Sequence, residues 1–407
     1  MDSILRISGG VCAPQGFTAA GVHCGIAGNA AKKDLALIYS SVRCPAAAVY
    51  TKNKVKASPL NVTRRHLADG MAQGIICNSG NANCCNADGA EVAEKMCVLA
   101  AEKLRISPAD MLVASTGVIG RPLPIEPIAG AVSGLVGGLT GLGSKSAAEA
   151  IMTTDLAEKE IAVSFHIGET TCKIGAIAKG SGMIHPNMGT MLSFITTDVG
   201  ITAELLQKAL GLVVGDTFNM VSVDGDTSTN DMAVILANGM AHNPTITEEG
   251  GAFETFTVAL MYVCIYLARM MAKDGEGATK LLECHVNGAP GDDAARVLAK
   301  SVITSSLFKA AMFGADANWG RVLCALGYAD AEFDIAKTRV KFASAAGEIL
   351  VCENGAGVDF SEDKAKEVLS EGEIEILVEL RQGDGAAVAW GCDLTYDYVK
   401  INGDYRS

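Results

Sequence analysis

The residues with the clearest chemical potential lie between Lys179 and Leu192, where the chain reads Lys-Gly-Ser-Gly-Met-Ile-His-Pro-Asn-Met-Gly-Thr-Met-Leu. Inside an intact chain the hydroxyl of Thr190 is a weak nucleophile, because no base is attached to it. If the bond after Gly189 is cut, the new α-amino group has a pKa of about 7.7–8.0 and can accept the hydroxyl proton. The glycine tolerates a strained backbone and leaves room for a tetrahedral centre. The segment is therefore a candidate site for cleavage before Thr190, followed by catalysis by an N-terminal threonine.

A second candidate lies where a predicted strand, Met111–Ser115, runs into Thr116 and Gly117. A hydroxyl and a backbone N–H at the tip of a loop are two donors that could face a developing oxyanion. Composition alone favours an ordinary turn. Farther along, Glu276 stands between two glycines, which suits close approach to a ligand and a contact with an ammonium group. A solvated loop is the alternative there.

Two polar loops are harder to interpret. The run from Asn78 to Asn83 follows a predicted strand and is typical of a turn. The run from Asp224 to Asp231 is similar to a calcium loop, but Thr229 stands where glycine is required and Ile235 where a bidentate glutamate belongs. Metal binding is therefore not expected there, and the sequence does not explain the role of this loop.

Composition limits the class of protein. The 407 residues suffice for two or three domains, and 49% apolar residues with 45 glycines favour a compact α/β protein. A net charge of −13 with no block of Lys or Arg argues against nucleic-acid or anionic-membrane binding. The 13 cysteines contain no Cys-x-x-Cys pair and indicate reduced thiols in the cytoplasm. The apolar run 256–268 is too short to span a bilayer and predicts a buried helix.

Periodicity predicts several of the remaining elements, in mixed or antiparallel sheets. A helix is expected over about 89–105, and another is expected to begin after the N-cap Ser361. The glycine-rich run 133–146 is expected to be a surface loop. The alternating segments 374–380 and 386–390 are expected to form a β-hairpin around the turn 383–385.

The segment 179–192 resembles the self-processing segment of the ornithine acetyltransferase family, also called bifunctional glutamate N-acetyltransferase. The family's usual form is Lys-Gly-Ser-Gly-Met-Ile-x-Pro-Asn-Met-Ala-Thr-Met-Leu, so Gly189 replaces an alanine. The runs 78–83, 116–117, 222–231 and 314–321 are also similar to the family, and the resemblance covers nearly the whole chain.

The resemblance implies a self-cleaving α/β sandwich similar to N-terminal-nucleophile hydrolases. It implies fragments 1–189 and 190–407 that stay together and pair into a heterotetramer of two alpha and two beta chains. Thr190 matches the nucleophile, and Thr116 with Gly117 matches the oxyanion hole. The family's substrate contacts match Thr153, Lys179, Thr190, Glu276, Asn402 and Ser407, the last often threonine elsewhere.

The implied activity is acetyl transfer from N2-acetylornithine to glutamate in arginine biosynthesis, by a ping-pong mechanism through acetyl-Thr190. No metal or organic cofactor is expected, and acetyl-CoA is a further co-substrate to consider. One alternative is an N-terminal-threonine amidase or aminopeptidase, which would use the same nucleophile in a wetter site. The other is a scaffold protein that kept the fold without activity.

Overall fold

The structure, a computed structural model, describes residues 4–29, 31–185 and 191–404. The strands are β1 Leu5–Ile7, β2 Phe17–Val22, β3 Leu35–Tyr50, β4 Met71–Asn78, β5 Met111–Ser115, β6 Lys159–Ile167, β7 Thr170–Lys179, β8 Leu192–Thr197, β9 Val221–Ser222, β10 Met232–Ala237, β11 Leu281–Ala289, β12 Arg339–Ser344, β13 Gly347–Glu353, β14 Ala356–Gly357, β15 Glu373–Glu379 and β16 Gly385–Cys392. The helices are α1 Ser58–His66, α2 Gly89–Leu104, α3 Glu126–Gly137, α4 Ser144–Ile151, α5 Ala203–Asp216, α6 Gly251–Lys273, α7 Asp292–Thr304, α8 Ser306–Phe313, α9 Trp319–Gly327, α10 Glu362–Leu369 and α11 Tyr396–Asp404. The predicted α/β class with mixed sheets is confirmed.

The first sheet has nine strands among the described residues, in the order β1-β6-β7-β8-β10-β3-β4-β5, with β2 also paired to β3. Strands β8 and β10 are parallel to each other and lie between β7 and β3, to which they are antiparallel. All six residues of β8 and all six of β10 are buried. Strands from both sides of position 190 thus form the centre of one sheet.

The second sheet has seven strands within the described ranges, in the order β14-β13-β12-β15-β11-β16-β9. The predicted strands β15 and β16 exist, but the predicted hairpin is wrong, because β11 lies between them. The loop that joins them crosses the end of β11, where the backbone N–H of Leu380 donates to the Asn287 carbonyl at 2.9 Å. β11 contributes five buried apolar residues, Leu281, Leu282, Cys284, Val286 and Ala289. Pairing with this buried strand provides backbone hydrogen-bond partners for both β15 and β16.

The glycine-rich run 133–146 is not the predicted surface loop, because it contains the end of α3 and the start of α4. Ile128, Val132 and Leu135 are spaced to face the core on one side of α3. A Cβ added to Gly130 or Gly134 would meet nothing within 4 Å. The apolar spacing therefore outweighs the cost of glycine in a helix, which is about 1 kcal/mol per residue.

Helix α6 joins the two sheets. It packs on β6 and β7 of the first sheet and on β9, β11 and β16 of the second. Its buried side includes Phe256, Leu260 and Leu267, so the predicted buried helix is confirmed. It is longer than the apolar run suggested: its 23 residues make it, by length and composition, the one helix in the described chain able to cross a membrane. Half of its most apolar window is buried inside the protein.

Candidate active site

Six of the residues predicted to act in the site line one cavity of about 150 Å³. Each comes from the end of a different element or from a loop. Thr116 and Gly117 follow β5, Lys179 ends β7, Thr153 follows α4, Glu276 follows α6 and Asn402 lies on α11. The lining residues are Ala82, Thr116, Gly117, Ile119, Thr153, Thr154, Lys179, Gly182, Met183, Ser228, Thr229, Asn230, Glu276 and Asn402. The fold thus gathers the six predicted residues, separated by up to 286 positions of sequence, around one space.

The predicted cleavage site, Gly189 and Thr190, lies outside the described residues, and so do two predicted substrate contacts, Thr190 and Ser407. The neighbouring described residue Leu192 opens β8 and pairs with Lys179 in the ladder between β7 and β8. The carbonyl of Met191 accepts a hydrogen bond of 2.9 Å from the Met232 N–H. The chain that follows position 190 therefore begins a buried strand beside a residue of the cavity wall.

The predicted oxyanion pair sits on a tightly packed loop. The backbone N–H of Thr116 donates to the Asn78 carbonyl at 2.9 Å. Its hydroxyl makes no hydrogen bond within the part of the chain that the structure describes, so it can donate to a ligand. Gly117 has a φ of +126°, and a Cβ there would lie 2.7 Å from the carbonyl carbon of Gly80. Glycine is therefore required at this position both by its backbone conformation and by the approach of the neighbouring loop.

The asparagine-rich run 78–83 supports that loop. The Asn78 side chain donates to Ser115 Oγ at 2.7 Å and accepts from the N–H groups of Gly80 and Asn81 at 3.2 and 3.1 Å. Asn78 has no exposed surface. Buried amide side chains that satisfy backbone groups replace a regular ladder at the point where β4 and β5 end.

Beneath the cavity lies a buried ion network, formed by Asp155, Lys159 and Asp274. The Lys159 ammonium has no exposed surface and lies 2.7 Å from Asp155 Oδ1 and 2.5 Å from Asp274 Oδ2. A buried lysine is tolerated when carboxylates compensate its charge. Because Asp274 lies two residues before Glu276, the network fixes the loop that carries the Glu276 carboxylate.

The same network reaches the other substrate-contact candidates. Asp155 accepts hydrogen bonds from the backbone N–H of Thr153 at 3.0 Å and of Gly180 at 2.7 Å. Burial raises the pKa of the Asp155 carboxyl, but the ammonium groups of Lys179 and Lys159 outweigh burial and hold that pKa below its usual range. One ionised carboxylate therefore positions two walls of the cavity.

Glu276 is held from three sides. Its backbone N–H donates to the Ser181 carbonyl at 3.0 Å, and the Asn402 side-chain amide donates to its Oε2 at 2.8 Å. A Cβ at Gly182 would lie 2.3 Å from the Glu276 carboxyl carbon, so the carboxylate rests against a residue without a side chain. The C-terminal helix α11 thus contacts the site through Asn402.

The loop from Asp224 to Asp231 acquires a role that the sequence did not reveal. The Asp224 carboxylate accepts the backbone N–H groups of Met183 at 2.6 Å and Ile184 at 2.9 Å. The Thr227 hydroxyl donates to the His185 carbonyl at 2.8 Å. These contacts hold the described residues that precede the predicted cleavage site. Farther along the loop, the Asn230 side chain donates to the carbonyls of Ala82 and Ser115, beside the oxyanion loop.

Sequence reasoning also missed the buried ion network. Thr153-Thr154-Asp155 reads as a helix cap, and Asp274 as part of a loop. The available signal was a carboxylate and a lysine four residues apart, Asp155 and Lys159, at the start of a strand. That strand is buried, since Ile161 and Val163 are at most 2% exposed. A lysine in such a setting needs a partner, although its second partner is 115 residues away.

Comparison with known proteins places the chain in a family. It matches the ArgJ family over residues 18–407. The arginine biosynthesis bifunctional protein ArgJ 1 of Clostridium acetobutylicum is 51% identical over 392 residues, which are 96% of each chain. The protein of that name from Caldanaerobacter subterraneus subsp. tengcongensis is 49% identical over 402 residues, 98% of this chain and 99% of the relative.

A solved structure agrees. The crystal structure of arginine biosynthesis bifunctional protein ArgJ from Bacillus halodurans is 46% identical and matches with a TM-score of 0.50. The match covers 53% of this chain and 100% of that chain. Taken with the family match across 18–407, these relatives show that the chain belongs to the ArgJ family and is an acyltransferase enzyme.

Proposed function

We propose that this enzyme transfers an acetyl group from N2-acetylornithine to glutamate and so gives ornithine and N-acetylglutamate. The observation that carries the proposal is the convergence of Thr116, Gly117, Lys179, Glu276 and Asn402 on one cavity. The names of the relatives, which place them in arginine biosynthesis, support it. We assign it to the cytoplasm and to a soluble assembly of two alpha and two beta chains.

The enzyme would first process itself. The hydroxyl oxygen of Thr190 attacks the Gly189 carbonyl carbon, the peptide C–N bond breaks, and water then hydrolyses the resulting ester. The products are fragments 1–189 and 190–407, and Thr190 gains a free α-amino group. The contacts of Asp224 and Thr227 with residues 183–185 support this step, because they limit the conformations of the segment that leads to the bond.

Acetyl transfer then proceeds in two halves. The Thr190 hydroxyl attacks the acetyl carbonyl of N2-acetylornithine while its own amine accepts the proton. The Thr116 hydroxyl and the Gly117 N–H donate to the oxyanion. The tetrahedral centre collapses, the proton passes to the departing nitrogen, and ornithine leaves an acetyl ester on Thr190. The α-amine of glutamate attacks that ester in the reverse sequence.

The charges of the cavity residues suggest which substrate group each residue contacts. Lys179 would hold the α-carboxylate that both substrates share. Glu276, oriented by Asn402, would hold the side-chain ammonium of the donor. Thr153 and Ser407 would complete the site. The ester must be kept from water, and the docking of α11 over Glu276 supports such closure. We include acetyl-CoA as a second donor, because the relatives are named bifunctional.

The test combines processing and activity. Intact mass of the purified wild type is expected to give two fragments that break at Gly189/Thr190, and Thr190→Ala is expected to give one uncut chain. With N2-acetylornithine and glutamate, the wild type should form ornithine and N-acetylglutamate in equal amounts. Release of acetate without N-acetylglutamate would instead support the amidase reading, and an uncut, inactive wild type would support the scaffold reading.

A further inference from the structure

A second cavity, of about 470 Å³, adjoins the site cavity. The two share a wall that includes Gly117 of the predicted oxyanion hole and Thr153. Their charges differ. The site cavity contains one charge of each sign, the carboxylate of Glu276 and the ammonium of Lys179, whereas the charged residues that line the second cavity, among those the structure describes, are Lys32 and Arg121. The second cavity is therefore cationic.

Lys32 lies on a loop that is firmly anchored. The buried carboxylate of Asp34 accepts three backbone N–H groups of that loop, at 2.5, 3.1 and 2.9 Å, from Cys24, Gly25 and Ala27. The Lys32 ammonium donates to the Thr153 carbonyl at 3.2 Å, which places it at the shared wall. Its position is thus set by the fold and does not depend on a bound ligand.

The positive charge of Lys32 is poorly compensated. The two nearby carboxylates that favour its charged form, Asp34 and Asp155, are already engaged by backbone N–H groups, and Asp155 also by Lys159. Burial lowers the pKa of the Lys32 ammonium, and the neighbouring charge of Lys179 lowers it further. An anion beside Lys32 would relieve this repulsion and so would bind favourably.

The proposed reaction needs a site of this kind. The donor N2-acetylornithine ends in an ammonium group, whereas the acceptor glutamate ends in a carboxylate. Glu276 attracts the first group and repels the second. If the α-carboxylates of both substrates bind Lys179 in turn, the side-chain carboxylate of the acceptor has to turn away from Glu276.

We propose that the second cavity binds the side-chain carboxylate of the acyl acceptor, with Lys32 as the residue that selects an acidic acceptor. This inference rests on the proposed function and adds a subsite to it. Arg121, which is exposed at the same cavity, would attract the acceptor from solution. The enzyme would then keep two side-chain subsites of opposite charge on either side of one oxyanion hole.

The experiment compares Lys32→Gln and Lys32→Arg with wild type, using glutamate and glutamine as alternative acceptors of the acetyl group from N2-acetylornithine. Lys32→Gln should lower kcat/KM for glutamate roughly 10- to 100-fold, the range expected for a lost charge-assisted hydrogen bond. The value for glutamine should change less than about threefold. Lys32→Arg should keep most of the preference for glutamate.

Lys33→Gln is the matched control. Lys33 is the next residue, but its ammonium pairs with Glu149 at 2.7 Å and donates to Ser146 Oγ at 2.8 Å, away from both cavities. It should leave the glutamate-to-glutamine preference unchanged. An equal loss for both acceptors in Lys32→Gln, or an unchanged preference, would overturn the inference.

Calorimetric titration with glutamate and glutamine separates this inference from the proposed function. Wild type should bind glutamate more tightly than glutamine, and Lys32→Gln should lose that difference, whether or not acetyl transfer is observed. Loss of the binding difference in a protein that transfers no acetyl group would refute the proposed reaction and keep the acidic-ligand subsite. Equal binding of both ligands by wild type would refute the subsite alone.

Discussion

Two ion-paired regions of this protein differ in what surrounds them. The buried ion network places Lys159, with no exposed surface, between two carboxylates beneath the site cavity. On the second sheet, a surface ion network joins Arg339 and Arg381 to Glu353 and Glu379, and each of these side chains is a quarter to a half exposed. Water can replace a lost partner in the surface network but not in the buried one.

The difference shows which charges fix geometry. The buried network touches loops that carry Thr153, Lys179 and Glu276, so its integrity determines where three substrate contacts lie. The surface network joins neighbouring strands that are already paired through their backbones, such as Arg339 opposite Glu379. The first region therefore couples stability to the site, and the second does not.

The largest effect is expected from removing the central cation of the buried network. Lys159→Met leaves Asp155 and Asp274 buried without their partner, and breaking a buried pair in this way costs about 3–5 kcal/mol. Urea unfolding should therefore show a large fall in the free energy of unfolding, with loss of acetyl transfer in the folded fraction. A loss below about 1 kcal/mol would mean that water reaches the network.

Low pH should reduce the difference in stability between wild type and Lys159→Met. The folded-state pKa of Asp155 is lowered, so its stabilisation is complete above its unfolded pKa of about 3.9 and is lost as the pH falls through the folded value. A protonated Asp155 is neutral, so it is no longer an uncompensated buried charge when Lys159 is replaced. The stability gap between wild type and Lys159→Met should therefore be larger at pH 7 than at pH 3, when both proteins are unfolded by urea. A gap that widens toward pH 3 would contradict the assignment.

A smaller effect on stability but a clear one on activity is expected at Gly182. In Gly182→Ala the new methyl displaces the Glu276 carboxylate, the far end of a flexible side chain, and the fold need not shift. We expect kcat/KM for N2-acetylornithine to fall about tenfold, with less than about 1 kcal/mol lost in stability.

Gly211→Ala serves as its control. Gly211 lies within α5, and a Cβ there would meet nothing within 4 Å. It should leave acetyl transfer unchanged and raise the free energy of unfolding by up to about 1 kcal/mol. Equal kinetics in the two alanine variants would show that the position of Glu276 does not matter for the donor.

The smallest effect is expected in the surface ion network. Glu353→Gln removes a charge that pairs with both Arg339 and Arg381, but water solvates what remains. The melting temperature should fall by less than about 2 °C at low salt and by less still in 1 M NaCl, where the charges are screened. Scanning calorimetry at the two salt concentrations measures this. A large fall in melting temperature that does not depend on salt would mean that water does not replace the lost partner here, as in the buried ion network.

Local elements were predictable from the sequence because their signals are local. The helix over 89–104 and the cap at Ser361, whose Oγ accepts the Lys364 N–H, follow from spacing and capping chemistry. The hairpin prediction failed because strand pairing is not local: β11, almost a hundred positions earlier, takes the place between β15 and β16. Alternation indicates a strand but does not identify its neighbour.

The site divides in a similar way. Thr116, Gly117, Thr153, Lys179, Glu276 and Asn402 were predicted from resemblance, and the structure brings them to one cavity. Their roles stay predictions. Most of the support under them was not predictable. Only the pair of Asp155 and Lys159 is local, whereas Lys159 reaches Asp274, 115 residues away, and Asp224 reaches Met183, 41 residues away. A charged residue type indicates that a partner is needed, but it does not identify a partner that is distant in sequence.

The central position of β8 and β10 has a consequence for how such a protein must be made. Both strands follow position 190, yet they fill the middle of a sheet whose outer strands precede it. Residues 1–185 translated alone would leave β7 and β3 with open edges, and the other portion would carry β8 and β10 paired only with each other, each with one open edge. If the two portions were synthesised as separate chains, each would expose unpaired strand edges and would tend to aggregate before they met. Synthesis as one continuous polypeptide avoids this exposure. A later cut would then change the connectivity of the chain and leave the sheet intact.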